Sequence, residues 1–134
     1  MESSMHTRTE HDLLGDMEIP KDAWFGIQTQ RALNNFAITG VPISHFPELI
    51  KALALVKMAS AKANEELGDL TSEKAAAIIS ACQDVCDGHL HDQFVVDLIQ
   101  GGAGTSTNMN ANEVIANLAL EKLGHSKGEY KYLH

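Results

Sequence analysis

The stretch QGGAGTSTNMNANEVIAN, Gln100 to Asn117, holds the residues of this chain best suited to binding chemistry. Gly101, Gly102 and Gly104 precede Thr105, Ser106 and Thr107, and an amphipathic pattern follows. The first four N–H groups of a helix find no partner inside it. With the helix dipole they make an anion site, and glycines let a ligand approach the backbone closely. Three hydroxyls add neutral donors to that end. A Walker-type phosphate loop would place a lysine before its Ser or Thr, and Gly104 holds that place here. The set suits a small dicarboxylate better than a nucleotide. The same residues also describe a capped helix behind a loop, because Ser and Thr are common caps. One cap needs one hydroxyl, however, and three are supplied.

The other candidate constellations carry less. His89, His91 and Asp92 have the types of metal ligands, but two histidines two apart face one way only on a strand, and no third ligand is identifiable. A structural or exposed role is the commoner case, and no metal site is assigned. Cys82 and Cys86 sit four apart on what reads as one helix, displaced by about 6 Å along its axis. They are expected as reduced core residues, not as a disulfide or a redox pair. Arg31 is a lone cation that could hold a carboxylate bidentately, although a surface ion pair is the more frequent use. Asn108 and Asn112 share a helix face and could bridge to another element or to a ligand. No nucleophile with an adjacent base is evident.

The elements that must position these residues read as helices. The run from Phe46 to Leu67 repeats apolar residues at three- and four-residue steps: Phe46, Leu49, Ile50, Leu53, Val56, Ala63 and Leu67. Ser44, between Pro42 and Pro47, is a possible cap before it. Gly68 ends it, and Thr71 with Glu73 opens a second helix that ends at Gly88. Its apolar face is Ala75, Ile78, Ile79, Cys82, Val85 and Cys86. The short link between the two predicts an antiparallel helix pair. A further helix is expected over the second half of Ala23–Phe36, and a last one over Thr105–Leu123. The segment His89–Gln100 reads equally as a short helix or an extended approach to the glycines. The first 20 or so residues read as extended or irregular, with a turn at Pro20–Ala23. Few stretches alternate with period two, so the expected fold is all-α, one helical domain over 1–134 behind an irregular N-terminal segment.

Composition narrows the partners. The chain has 134 residues, 44% hydrophobic and 21% charged, with a net charge of −8. That length and content suit one domain with a modest core. The negative charge argues against nucleic acid or an anionic membrane, and requires a local positive feature wherever an anion is held. No apolar run approaches the ~20 residues that span a bilayer, and the polar start, MESSMHTRTEHDLLGD, lacks an apolar signal segment. A cytoplasmic location is expected.

Taken in order, RTEHDLLGDMEIP, AWFGIQTQRALNNFAITG, LVKMASAKANEELGDL and HDQFVVDLIQGGAGTSTNMNANEVIANLALEKLG make the chain resemble the N-terminal part of the aspartase/fumarase superfamily nearly end to end. GAGTSTNMN, Gly102 to Asn110, is similar to the aspartase form of the motif; fumarases carry a version like GSGTQSNMN. The resemblance implies that Thr105, Ser106 and Thr107, with Gly104 before them, form one wall of a site for a carboxylate of L-aspartate or fumarate. It lets Arg31 be considered for a substrate role. It also makes His134 the first residue of an HPND-type stretch, associated in fumarases with a second carboxylate site. Family members are roughly three times as long, assemble as homotetramers and draw each active site from three subunits. Their catalytic serine lies in a G-S-S-x-x-P-x-K-x-N signature that this sequence lacks. The implied reaction is the reversible anti-elimination of ammonia from L-aspartate to fumarate, without metal or organic cofactor. The serine takes the β-proton, and fixed donors stabilise the dianion that results. No catalytic base is assigned to this chain, and the chain alone is expected to be inactive. The alternatives are a fumarate hydratase domain and a carboxylate-binding helical module without chemistry.

Overall fold

The computed structural model describes residues 6–35, 38–98 and 104–134. Two strands, β1 (Thr7–Asp12) and β2 (Gly15–Pro20), precede four helices: α1 (Ile27–Asn35), α2 (Pro47–Glu66), α3 (Ser72–Cys86) and α4 (Thr105–Lys122). One-turn 3-10 segments stand at Ile43–His45 and His91–Gln93.

The strands correct the all-α expectation. They pair antiparallel from Thr7↔Pro20 to Asp12↔Gly15, around a tight turn at Leu13 and Leu14. Each strand buries one residue fully, Glu10 in β1 and Ile19 in β2; β1 is polar throughout, and β2 alternates only over Met17 and Ile19, too short a run to stand out in sequence. A two-stranded ribbon of this kind is marginal alone. Here it is fastened by charge: Arg31 of α1 donates Nε and Nη2 to the two carboxylate oxygens of Asp12, both at 2.8 Å. At the other end Arg8 donates to the carbonyls of Pro20, Lys21, Ala23 and Phe25.

The α2–α3 pair forms as expected. Thr71 caps α3 by accepting from the Lys74 N–H, 3.3 Å away. Ser44 does not cap α2; Phe46 holds the cap position without a side-chain bond, and Pro47 follows in the first turn, where its missing N–H costs nothing. The core face of α2 is Ile50, Ala54 and Ala61, with Leu53 and Met58 partly buried. Phe46, Leu49, Val56 and Leu67 of the expected stripe are exposed instead. Small residues on α2 and α3, among them Ala54, Ala77 and Ala81, let the pair approach, and α4 packs across them. Helix α4 is buried on almost every side, from Asn110 to Leu120, as a central helix should be.

Helix α1 begins against this centre. Its first turn carries no acidic residue, yet the N–H of Ile27 donates to Glu10 at 2.9 Å. Those of Gly26, Gln28 and Thr29, with the Thr29 hydroxyl, donate to Glu113 of α4 at 2.6–3.0 Å. Tyr130 closes the cluster, its hydroxyl 3.4 Å from Glu10 and 3.1 Å from Asn117 Nδ2. The groups converge on Gly26 because it has no side chain. A Cβ there would stand 2.3 Å from the Tyr130 oxygen and 2.8 Å from an oxygen of each carboxylate. We therefore expect Gly26→Ala to lower stability by about 2–3 kcal/mol through overpacking, read as a reduced denaturant midpoint; an unchanged midpoint would contradict this account of the cluster.

Candidate functional site

Helix α4 opens at Gly104, which holds the cap position in the left-handed conformation, φ 84°, and makes no side-chain bond. Glycine is the residue that adopts this region without strain. Thr105, Ser106 and Thr107 therefore fill the first helical turn and do not cap it from outside. Thr105 is exposed, and Ser106 and Thr107 are half-buried. The turn is closed by the Asn108 N–H, 3.0 Å from the Gly104 carbonyl. Three hydroxyls thus stand at the positive end of an 18-residue helix. The expected contribution of Gly101 and Gly102 lies outside the described residues.

The approach to this turn is held from two sides. Asn110 is fully buried, accepts from the N–H groups of Val95 and Val96 at 2.9 and 3.3 Å, and donates to the Gln93 carbonyl at 3.0 Å. The 41–44 segment pairs with the same stretch through Ile43 N–H to Val96, Ser44 N–H to Phe94 and Leu98 N–H to Val41. Asp97, also buried, takes the N–H groups of Thr39 and Gly40 and the Thr39 hydroxyl at 2.8–2.9 Å. The ambiguous segment forms a 3-10 turn at His91–Gln93 and then a bent stretch to Leu98 with one bridge, Asp97 to Pro42; its last two residues, Ile99 and Gln100, lie outside the described residues.

A cavity of about 510 Å³ lies between α2, α4, the end of the hairpin and the C-terminal residues. Lys57, Asn64, Asn112, His11 and His134 bring polar groups to it, over a floor that includes Ile115 and Ala116. His134 is exposed at its edge. Thr105, Ser106 and Thr107 do not line it, so the structure does not gather the carboxylate-site candidates into one chamber. Arg31 is engaged by Asp12 and by the Gly15 carbonyl, 3.2 Å away. That ion pair holds the Asp12 carboxyl below its ordinary range, against desolvation, which pushes it up.

The remaining candidates have structural surroundings. His91 Nε2 donates to the Val85 carbonyl at 2.8 Å, and its ring meets Phe94 edge-on, while His89 is exposed. Cys82 and Cys86 are free thiols; burial pushes Cys82 up to about 12, and Cys86 in the same direction. Asn108 bridges to Lys57 of α2, and Asn112 faces the cavity.

Sequence reasoning missed Lys57, Asn110 and Glu113. Glu113 left a signal, a carboxylate inside the apolar run that holds Ala111, Val114 and Ile115. Burial pushes its carboxyl up from the ordinary value, against the four bonds from Thr29, Gln28 and Gly26 that pull it down. Burial likewise raises the Tyr130 phenol, and the nearby Glu10 and Glu113 add to the shift. Asn110 left no signal, because a buried asparagine and an exposed one are spelled alike.

Comparison with known proteins gives these features a setting. The sequence pattern of the lyase family matches residues 15–134. An aspartate ammonia-lyase of Pseudomonas aeruginosa is 65% identical over 128 residues, 96% of this chain and 27% of that protein. Among solved structures, one named fumarate lyase:delta crystallin, from Brucella melitensis, superimposes with a TM-score of 0.95 at 57% identity, over 96% of this chain and 28% of that one. A class II fumarase from Schistosoma mansoni superimposes with a TM-score of 0.85 at 32% identity, over 92% of this chain and 26% of that one. The chain thus spans little more than a quarter of the length of the curated relatives it matches.

Replacing Asn110 by leucine would leave the Val95 and Val96 N–H groups and the Gln93 carbonyl buried without partners. We expect a loss of about 3 kcal/mol, with faster hydrogen exchange at the Val95 and Val96 amides. Exchange at the wild-type rate would show that Asn110 does not hold this approach.

Proposed function

The chain belongs to the lyase family, and from that premise we propose that it is the N-terminal helical domain of an aspartate ammonia-lyase, cytoplasmic and homotetrameric as a whole. The reaction is the reversible elimination of ammonia from L-aspartate to give fumarate. This domain supplies carboxylate-binding donors, and the base comes from the remainder of the enzyme. The observation that carries the reading is the first turn of α4: Gly104 as a left-handed cap, followed by three hydroxyl residues at the positive helix end. Identity of 65% to an aspartate ammonia-lyase, against 32% to a fumarase, favours ammonia over water as the leaving group.

The chemistry follows from what such a turn can do. Elimination begins with removal of the proton next to the β-carboxylate, and the charge of the carbanion flows into that carboxylate. Donors fixed in place before the proton leaves stabilise this doubly charged group without reorganising, which lowers the barrier. The N–H groups and hydroxyls of Thr105, Ser106 and Thr107 are of this type: neutral donors carried on a helix backbone and on the short side chains of its first turn. Collapse of the dianion then returns its electron pair to form the Cα=Cβ double bond, the Cα–N bond breaks with its own pair on nitrogen, and ammonia and fumarate result. Neither step draws on a metal or an organic cofactor.

The test is an ultraviolet assay for fumarate with L-aspartate as substrate. The full-length protein should be active and this chain alone silent. Ser106→Ala or Thr107→Val in the full-length protein should lower kcat/KM, by roughly 10²-fold for a fixed donor to the developing charge. Fumarate formed by the isolated chain, or full-length variants as active as wild type, would overturn the reading.

A further inference from the structure

Lys57 stands midway along α2, half-buried, lines the cavity and donates to Asn108 Oδ1 of α4. Burial pulls it down from its ordinary value, while the neighbouring Cys82 thiol acts the other way. Among the described residues no carboxylate pairs with it, although acidic residues outnumber basic ones in this chain by 18 to 10. An ammonium bonded to one neutral amide oxygen keeps two further donors and its whole charge for an anion. The other lysines that form ion pairs, Lys51, Lys122 and Lys127, all do so with carboxylates.

The partner of Lys57 matters because of its position. The N–H of Asn108 closes the first turn of α4 on the Gly104 carbonyl at 3.0 Å, so its side chain and backbone join that turn to α2. The hydroxyl residues Thr105 to Thr107 lie between the two groups so joined. A chain of net charge −8 repels anions at long range, and neutral donors alone do not offset that repulsion. Lys57 is a full positive charge bonded to the residue that directly follows Thr107.

We infer that Lys57 is a positioning residue for the carboxylate site: acting through Asn108, it holds the Thr105–Thr107 turn in register with α2 and supplies the local positive charge that draws a dicarboxylate to it. The inference rests on the function proposed above and adds to it the feature that overcomes the acidic field.

The experiment is steady-state kinetics of the full-length protein with L-aspartate, for wild type, Lys57→Met, Asn108→Ala and the double variant. A charge that acts on the substrate carboxylate equally in the ground and transition states moves KM and leaves kcat. The expected result is a rise in KM of about tenfold or more for Lys57→Met with a much smaller change in kcat. Because Lys57 acts through Asn108, the double variant should be little worse than Lys57→Met alone, a non-additivity that independent sites do not show. Should Lys57→Met fail to assemble, Lys57→Gln, which keeps a donor but removes the charge, is read for the same rise in KM. An unchanged KM, a fall in kcat alone, or fully additive effects would overturn the inference. A wild-type protein without activity on L-aspartate would instead overturn the proposed function, so the two failures are distinguishable.

Discussion

Helix α1 starts with no acidic residue of its own, and two buried carboxylates carried from elsewhere take up its first N–H groups. Glu10 comes from β1 and Glu113 from the middle of α4. This one arrangement ties the hairpin, α1 and the central helix together at a point only a glycine can occupy. It resolves two costs at once: orphan helix donors are satisfied, and each buried carboxylate receives bonds that offset its desolvation. Arg8, bonded to Glu10 at 2.8 Å, reaches past it to four backbone carbonyls and locks the turn between β2 and α1. Asn117 links the same region to the C-terminal residues through the Trp24 carbonyl and the Gly128 N–H. Lys127 lies over the Trp24 ring, 3.9 Å from its centre.

The rigidity so obtained is passed along α4. The helix whose middle anchors α1 through Glu113 offers its first turn to the proposed substrate site. Between them stand Asn108, tied to α2, and Asn110, tied to the backbone of Gln93, Val95 and Val96. Asn108 and Asn112 share one face of the helix and Asn110 points to another, so the first two meet Lys57 and the cavity while Asn110 holds a backbone segment. A binding turn built on a helix fixed at several levels keeps its donors in place before the ligand arrives, which electrostatic stabilisation requires.

Much of this was legible in the sequence, and the physics says which part. The α2–α3 pair was readable because period, cap and stop residues agree: Thr71 opens α3, and Gly68 and Gly88 follow the two helices. The hairpin was not, because β1 is polar throughout with a carboxylate, Glu10, as its buried residue, and β2 alternates only over Met17 and Ile19, too short a run to read as a strand. The buried face of α2 is narrower than its apolar pattern. Val56 and Leu67 are apolar yet exposed, while small Ala54 and Ala61 form the contact, and hydrophobicity alone does not say which face a neighbour takes. Thr105, Ser106 and Thr107 stood out as types with more donors than one cap needs, and resemblance to the superfamily gave them a substrate. Lys57, Asn110 and Glu113 depend on partners 14 to 87 residues away, and pairings at that range are set by packing, not by local pattern.

The central claim is that a dicarboxylate is held at the opening of α4. A crystal structure of the full-length protein with succinate, a dicarboxylate that cannot undergo the elimination, tests it directly. The account predicts one succinate carboxylate within hydrogen-bond distance of the N–H and hydroxyl groups of Thr105 to Thr107. Succinate bound with no contact to that turn, for example inside the cavity between α2 and α4, would contradict it.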